Sequence, residues 1–237
     1  MVTPYPDLRH YTTRDYGNRV GVYRLLRALQ QFDVKATFAI NAEVAHRYPP
    51  LIEAIASAGH EIAAHGVSTA HLHHAGLPIE QERALVAQSR ATFPKAVSWM
   101  SPARNQSFAT MDLITEAGFK VCLDWEADMR PIAMCSHHGA ITALPHYNEL
   151  SDYRLMVERS QLPDAWAVQV LDAARDTVER FATEGSGGLA ITLTPYVTGQ
   201  PFRISALKSL LSGLQALPGL KVLTAREQAE AFAAVPQ

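Results

Sequence analysis

Short apolar runs alternate with amphipathic stretches along most of the chain, and nearly every run ends on a polar residue. Residues 18–31 put Val20, Tyr23, Leu25, Leu26 and Leu29 on one stripe, which predicts a helix. Residues 34–40 read as a buried strand closed by Asn41. Residues 42–58 predict two short helices broken at Pro49-Pro50, with Gly59 as a C-cap. A strand over 61–64 then runs out into His65-Gly66. A helix from Pro78 to Thr92, strands over 97–100 and 120–123 with a helix over 110–117 between them, and a strand over 141–144 come next. The pattern closes with a helix over 164–183, a strand over 189–193, a helix over 205–217, a strand over 221–223 and a last helix capped by Thr224. Such alternation builds a mostly parallel sheet, open or closed, with helices outside.

The length of 237 residues suits one α/β-barrel domain over 1–237, with residues 1–17 as an N-terminal arm. An apolar share of 48% supplies a large core, and a net charge of −2 leaves no electrostatic footprint for nucleic acid or an anionic membrane. Two cysteines, Cys122 and Cys135, are too few for a disulfide framework. Neither a leader-like apolar region near Met1 nor a run of ~20 apolar residues is visible. A cytoplasmic protein that takes a small-molecule substrate, with no nucleic-acid or membrane partner, is expected.

In parallel α/β folds the reactive groups sit just past the C-terminal ends of strands. That rule selects Asn41, His65, Ser101 to Arg104, Asp124 and Glu126, His146 and Glu149, and Thr194. A neutral His65 there is a general base, a ligand or an oxyanion donor; the alternative is a buried structural histidine. Arg104 has a donor fork suited to a carboxylate or a carbonyl, or is simply exposed. Asp124, Trp125, Glu126 and Asp128 set crowded carboxylates beside an indole that can act as a stacking wall. The competing reading is a charged loop around a packed tryptophan. Arg203 begins a helix, where its charge needs a carboxylate partner, and Asp152 is one candidate. His71-Leu72-His73-His74 invites a metal reading, but a catalytic zinc needs three protein ligands. No cofactor is expected; the one alternative is zinc held by His65 with His71 or His73, against a solvated loop.

Several segments, taken in order, resemble the polysaccharide deacetylase family, and most of all its cytoplasmic allantoinase-like branch. They are Tyr16-Gly17-Asn18-Arg19-Val20-Gly21, Lys35-Ala36-Thr37-Phe38, Gly59 to Gly66, Trp99-Met100-Ser101-Pro102, Glu116-Ala117-Gly118-Phe119, Asp124-Trp125, Leu193 to Tyr196 and Thr198 to Arg203. The resemblance implies a distorted (β/α) barrel with an incomplete strand ring, hydrolysis of non-peptide C–N bonds, and oligomerisation. It also implies departures. The family's first strand, with its acidic residues, has no counterpart before the helix over 18–31. In the metal pattern His-(Ser/Thr)-x-x-His, His65 matches and Thr69 stands at the second histidine. A late Leu-x-His-Pro histidine, proposed as the acid, is Thr194 here.

One imidazole does not hold a catalytic zinc, and a threonine does not protonate an amine near neutral pH. Two readings follow. One is a hydrolase of an amide, ureide or cyclic imide of a small molecule or N-acetylated sugar that works without the usual zinc, with catalytic groups drawn from His65, Asp124, Glu126 and His146. Asn41, Ser101, Arg104, Trp125, Glu149, Asp152, Thr194 and Arg203 would then bind substrate. The other is a degenerate relative that binds a small ligand without turnover. A sheet without its first strand has an edge to cover, so residues 1–13 or a second copy of the chain, in a homo-oligomer, are expected to lie over it.

Overall fold

From Leu8 the chain is helical before it is a sheet. Helix α1 (Leu8–Tyr16) passes through a π turn (Gly17–Gly21) into α2 (Val22–Gln31). Then come β1 (Thr37–Ile40), α3 (Ala42–Arg47), α4 (Pro49–Ser57), β2 (Glu61–Ala64), α5 (Ile79–Thr92), β3 (Ser98–Trp99), α6 (Thr110–Glu116) and β4 (Val121–Cys122). They are followed by β5 (Ile132–Ser136), β6 (Gly139–Ala143), α7 (Pro163–Glu184), α8 (Ile204–Gln215) and α9 (Ala225–Ala233). The structure is a computed structural model that describes residues 7–185 and 187–233. None of its helices is long and apolar enough to cross a membrane.

The chain divides into two compact units, each assembled from separated segments. One is helical. In it α7 packs on α8 and α2 on α8, which buries Leu25, Leu26, Leu29, Trp166, Val170, Leu207, Leu210 and Leu214. The turn at Gly17–Gly21 is where this unit needs glycine. A Cβ on Gly21 would run into the backbone carbonyl of Pro195, and one on Gly17 would come within 2.9 Å of the Tyr196 nitrogen.

The other unit holds a six-stranded sheet in the order β1-β2-β3-β4-β6-β5. Each neighbouring pair is parallel except β5 with β6, which form an antiparallel hairpin. The register sets Ala64 beside Trp99, Trp99 beside Cys122 and Cys122 beside Ala143, so five strands finish along one edge. At the opposite edge Glu61 acts as a clamp. Its carboxylate accepts the Thr37 hydroxyl at 2.7 Å, the Ser98 hydroxyl at 2.5 Å and the Arg226 N–H at 2.9 Å. Three strand starts and the first turn of α9 are thereby tied to one side chain. Thr224 caps α9 as anticipated: its N–H and hydroxyl reach Glu227 at 2.8 and 2.9 Å, and the Glu227 N–H returns to its hydroxyl.

Several expectations are corrected. The first strand begins at Thr37 rather than residue 34, because the Val34 N–H turns back to the Leu29 carbonyl at the end of α2. No strand forms over 189–193: the Thr192 carbonyl accepts the Asp152 N–H and the Thr194 N–H goes to the Asp152 carboxylate, away from any ladder. Residues 221–223 are not a strand either, and Val222 and Leu223 are too open to water for a sheet core. Strand β5 was not anticipated. Among the described residues no strand precedes β1, which ends the sheet on that side. Of the segment expected to cover that edge, residues 1–6 lie outside the described residues, and Leu8 to Thr13 is helical.

Candidate functional site

The C-terminal ends of β1, β2, β3, β4 and β6 bring Asn41, His65, Ser101, Asp124 and His146 to one edge of the sheet. Asn41 donates its side-chain amide to the His65 carbonyl. The His65 Nδ1 lies 2.8 Å from the Met100 carbonyl oxygen. A carbonyl only accepts, so Nδ1 carries the proton and Nε2 holds the lone pair. Burial pulls the His65 pKa below the ordinary histidine value, with the Met100 bond and the Asp124 charge opposing.

Asp124 is buried and densely bonded. Oδ1 accepts the Ser101 N–H at 2.8 Å; Oδ2 accepts the Ser101 hydroxyl at 2.7 Å and the Gln106 amide at 2.7 Å, with the Cys122 thiol at 3.7 Å. The Trp99 indole donates to Ser101 Oγ at 2.8 Å, so the hydroxyl proton is directed at Asp124. Burial raises the Asp124 pKa, offset in part by the Ser101 and Gln106 bonds and by the charge of His65. The Cys122 thiol, pushed well up by burial and by Asp124, stays protonated.

Beyond Ser101 the chain makes a tight turn in which Ala103 and Arg104 both take left-handed φ, 54° and 55°. Two such non-glycine residues in a row store strain beside the reactive edge, on the order of 1–3 kcal/mol each. The turn brings Arg104 into an ion pair with Glu126. His146 is buried next to this pair, and burial together with the Arg104 charge lowers its pKa to about 4, against the pull of Glu126. It is therefore a neutral imidazole at physiological pH. Gly66, at φ 65°, admits the turn: a Cβ there would stand 2.6 Å from Pro102 Cγ.

Trp125 is 37% exposed, and its indole donates to the Gln106 carbonyl at 3.0 Å. Gln106 was not among the sequence candidates; it lies in a loop with no periodicity, and no local signal marks it. Asp128 caps its own turn through the Met129 and Arg130 N–H groups.

The histidine loop does not assemble a metal centre. His71 Nδ1 sits 2.7 Å from Ser68 Oγ. His73 is fully buried, with Nδ1 2.9 Å from Glu82, whose carboxylate also accepts the Ser107 and Thr110 hydroxyls. Among the described residues no three His, Cys, Asp or Glu side chains group as ligands, so the donor set does not fit a catalytic zinc.

Four candidates belong to the helical unit. Glu149 is engaged by Arg154 at 3.3 Å and by Arg159 in an exposed ion cluster. Asp152 is fully buried; Oδ2 accepts the Thr194 N–H at 2.8 Å and the Thr198 hydroxyl at 2.5 Å. Burial raises its pKa against those bonds. The expected Arg203–Asp152 pair is corrected: Arg203 turns to the Val197 carbonyl and the Phe202 ring, and Thr194 with Thr198 bonds Oδ2 of Asp152.

Residues 5–120 match the sequence model of a family described as polysaccharide deacetylase. No curated protein matches the chain. A structure from Mycobacterium smegmatis, named as a polysaccharide deacetylase, is 26% identical with a TM-score of 0.80 over 94% of this chain and 80% of its own. Puue allantoinase shares the fold at 22% identity, with a TM-score of 0.85 over 97% of this chain and 77% of its own. A pseudoenzyme of carbohydrate esterase family 4 from Bacillus anthracis shares it at 14% identity and a TM-score of 0.60, over 90% of this chain and 61% of its own.

Proposed function

Residues 5–120 belong to the polysaccharide deacetylase family, and on that premise we propose that the chain hydrolyses a non-peptide C–N bond in a small amide, ureide, cyclic imide or N-acetylated sugar without a zinc ion. The observation that carries this reading is the tautomer of His65, which is held by Met100 with its Nε2 lone pair available at the reactive edge. His65 takes a proton from water as the water oxygen bonds to the substrate carbonyl carbon. The Arg104 guanidinium, oriented by Glu126, stabilises the oxyanion, and neutral His146 adds a hydrogen bond. When the C–N bond breaks, the His65 imidazolium returns the proton to the leaving nitrogen, so no separate acid at position 194 is required. The buried charge of Asp124 favours the imidazolium between those steps. The Trp125 ring supplies a flat wall for the substrate.

The test is turnover of an N-acetylated sugar oligomer, allantoin and a cyclic imide by wild-type protein with and without a chelator, and by His65→Ala. Chelator-insensitive turnover that falls at least a hundredfold in the variant supports the reading. Stoichiometric zinc with chelator-sensitive turnover, or full turnover by His65→Ala, sinks it.

A second reading, ligand binding without turnover, is favoured by one observation: the Asp124 oxygens are occupied by donors of the protein itself, which leaves that carboxylate no part in proton transfer. The shared fold with a family 4 pseudoenzyme accords with it. Measurable binding of one of these compounds with no turnover of any would select it.

A further inference from the structure

Gln106 joins two groups of opposite character. Its Nε2 lies 2.7 Å from Asp124 Oδ2, and its Oε1 accepts the Trp125 indole N–H at 3.0 Å. An indole N–H only donates, and a carboxylate inside this ring of donors only accepts. The amide has therefore one usable orientation, oxygen to the ring and nitrogen to the acid. At one end is an indole 37% exposed to water; at the other is a carboxylate only 8% exposed.

We propose that Gln106 is a positioning residue that locks the Trp125 ring to the Asp124 carboxylate, so that the placement of the ring and the charge of Asp124 are coupled. A proton arriving on Oδ2 would face the Ser101 hydroxyl, the Gln106 amide and the Cys122 thiol, all donors. Protonation must turn at least one of them away. Ser101 is held on its other side by Trp99, and its N–H is bonded to Oδ1. Gln106 is half-buried on an irregular loop, so it is the partner that yields, and its motion draws the indole with it. Conversely, a flat ligand that presses on Trp125 and keeps the amide in place stabilises ionised Asp124. The other titratable groups that face Asp124 are His65, from the end of β2, and Cys122, from β4; the Arg104–Glu126 pair flanks the next turn of chain. The coupling is independent of whether the site hydrolyses anything.

Trp99 provides an internal control, because its indole reports on the same carboxylate through Ser101 and not through Gln106. The experiment follows the indole N–H signals of 15N-labelled protein from pH 8 down to the acid limit of folding, assigned with Trp125→Phe. In the wild type the Trp99 and Trp125 signals should move with a common midpoint above the ordinary aspartate range. In Gln106→Leu the Trp99 signal should keep that midpoint and the Trp125 signal should lose it. Asp124→Asn, which cannot ionise, should remove it from both. The proposal fails if Trp125 titrates unchanged in Gln106→Leu. It fails equally if Trp125 keeps its midpoint in Asp124→Asn, a result that stands even if the leucine variant does not fold.

Discussion

Met100 presents its carbonyl oxygen 2.8 Å from the Nδ1 of His65, and so decides which imidazole nitrogen is basic. Burial holds the pKa of that imidazole below the ordinary histidine value. If His65 is the base, kcat/KM should be level above about pH 6.5 and fall about tenfold per pH unit once the pH passes below the depressed pKa. A pH–rate profile with its acid limb above pH 7 would assign the base to another group.

His146 makes a separate acid-sensitive contribution. Its pKa is about 4 in the folded protein against 6.5 for an unperturbed histidine. Between those values the unfolded chain binds the extra proton and the folded chain does not, so stability is fully present above about pH 6.5 and drains away as the pH falls towards 4. The separation corresponds to about 3 kcal/mol. Urea melts of wild type and His146→Gln at pH 7 and 4.5 should show a smaller acid loss in the variant; equal losses would rule His146 out as the cause.

Glu61→Ala should cost about 2–4 kcal/mol, because a buried donor on Ser98 and partly buried donors on Thr37 and Arg226 lose their acceptor together. Glu61→Gln keeps one oxygen and should cost less. Chemical denaturation measures both, and ligand binding or turnover by the folded fraction should be intact, since this end of the sheet lies opposite the reactive one.

Gly66→Ala should disturb the Arg104 turn directly. The new methyl meets Pro102 Cγ at 2.6 Å from a backbone at φ 65°, so overpacking and torsional strain add, at about 1–3 kcal/mol. A crystal structure of the variant should show the Pro102–Arg104 turn displaced and the pair with Glu126 opened. An unmoved turn would mean that the strand end yields instead.

Much of the fold could be read from residue order. Apolar periodicity located α2, the break before α4 at Pro49, α5 and the helices after Leu162, and the residue types after each strand named His65, Ser101, Asp124 and His146. What escaped reading was what depends on partners distant in sequence. Residues 189–193 have strand composition, yet Asp152 consumes the ladder groups of Thr192 and Thr194. Ile132-Ala133-Met134 alternates too weakly to advertise β5. Gln106 is ordinary in sequence and becomes informative only once Asp124 and Trp125 are seen on either side of it. Asp124 itself reads as an acid among carboxylates, whereas its surroundings are donors.

The π turn between α1 and α2 keeps a rotational phase. One residue more than an α-helix needs is held between Gly17 and Gly21, and it sets which side of α1 meets the Tyr196 ring, with the Arg14 guanidinium 5.8 Å above it. Deleting Asn18 would restore regular winding and turn everything upstream by about 100°, carrying Arg14 off the ring while its helix stays whole. Loss of the ring's perturbation of the Arg14 guanidinium resonance, at unchanged helicity, would register that turn. A single inserted residue is thus stored here as an angle, and the angle selects the side chain that Tyr196 receives.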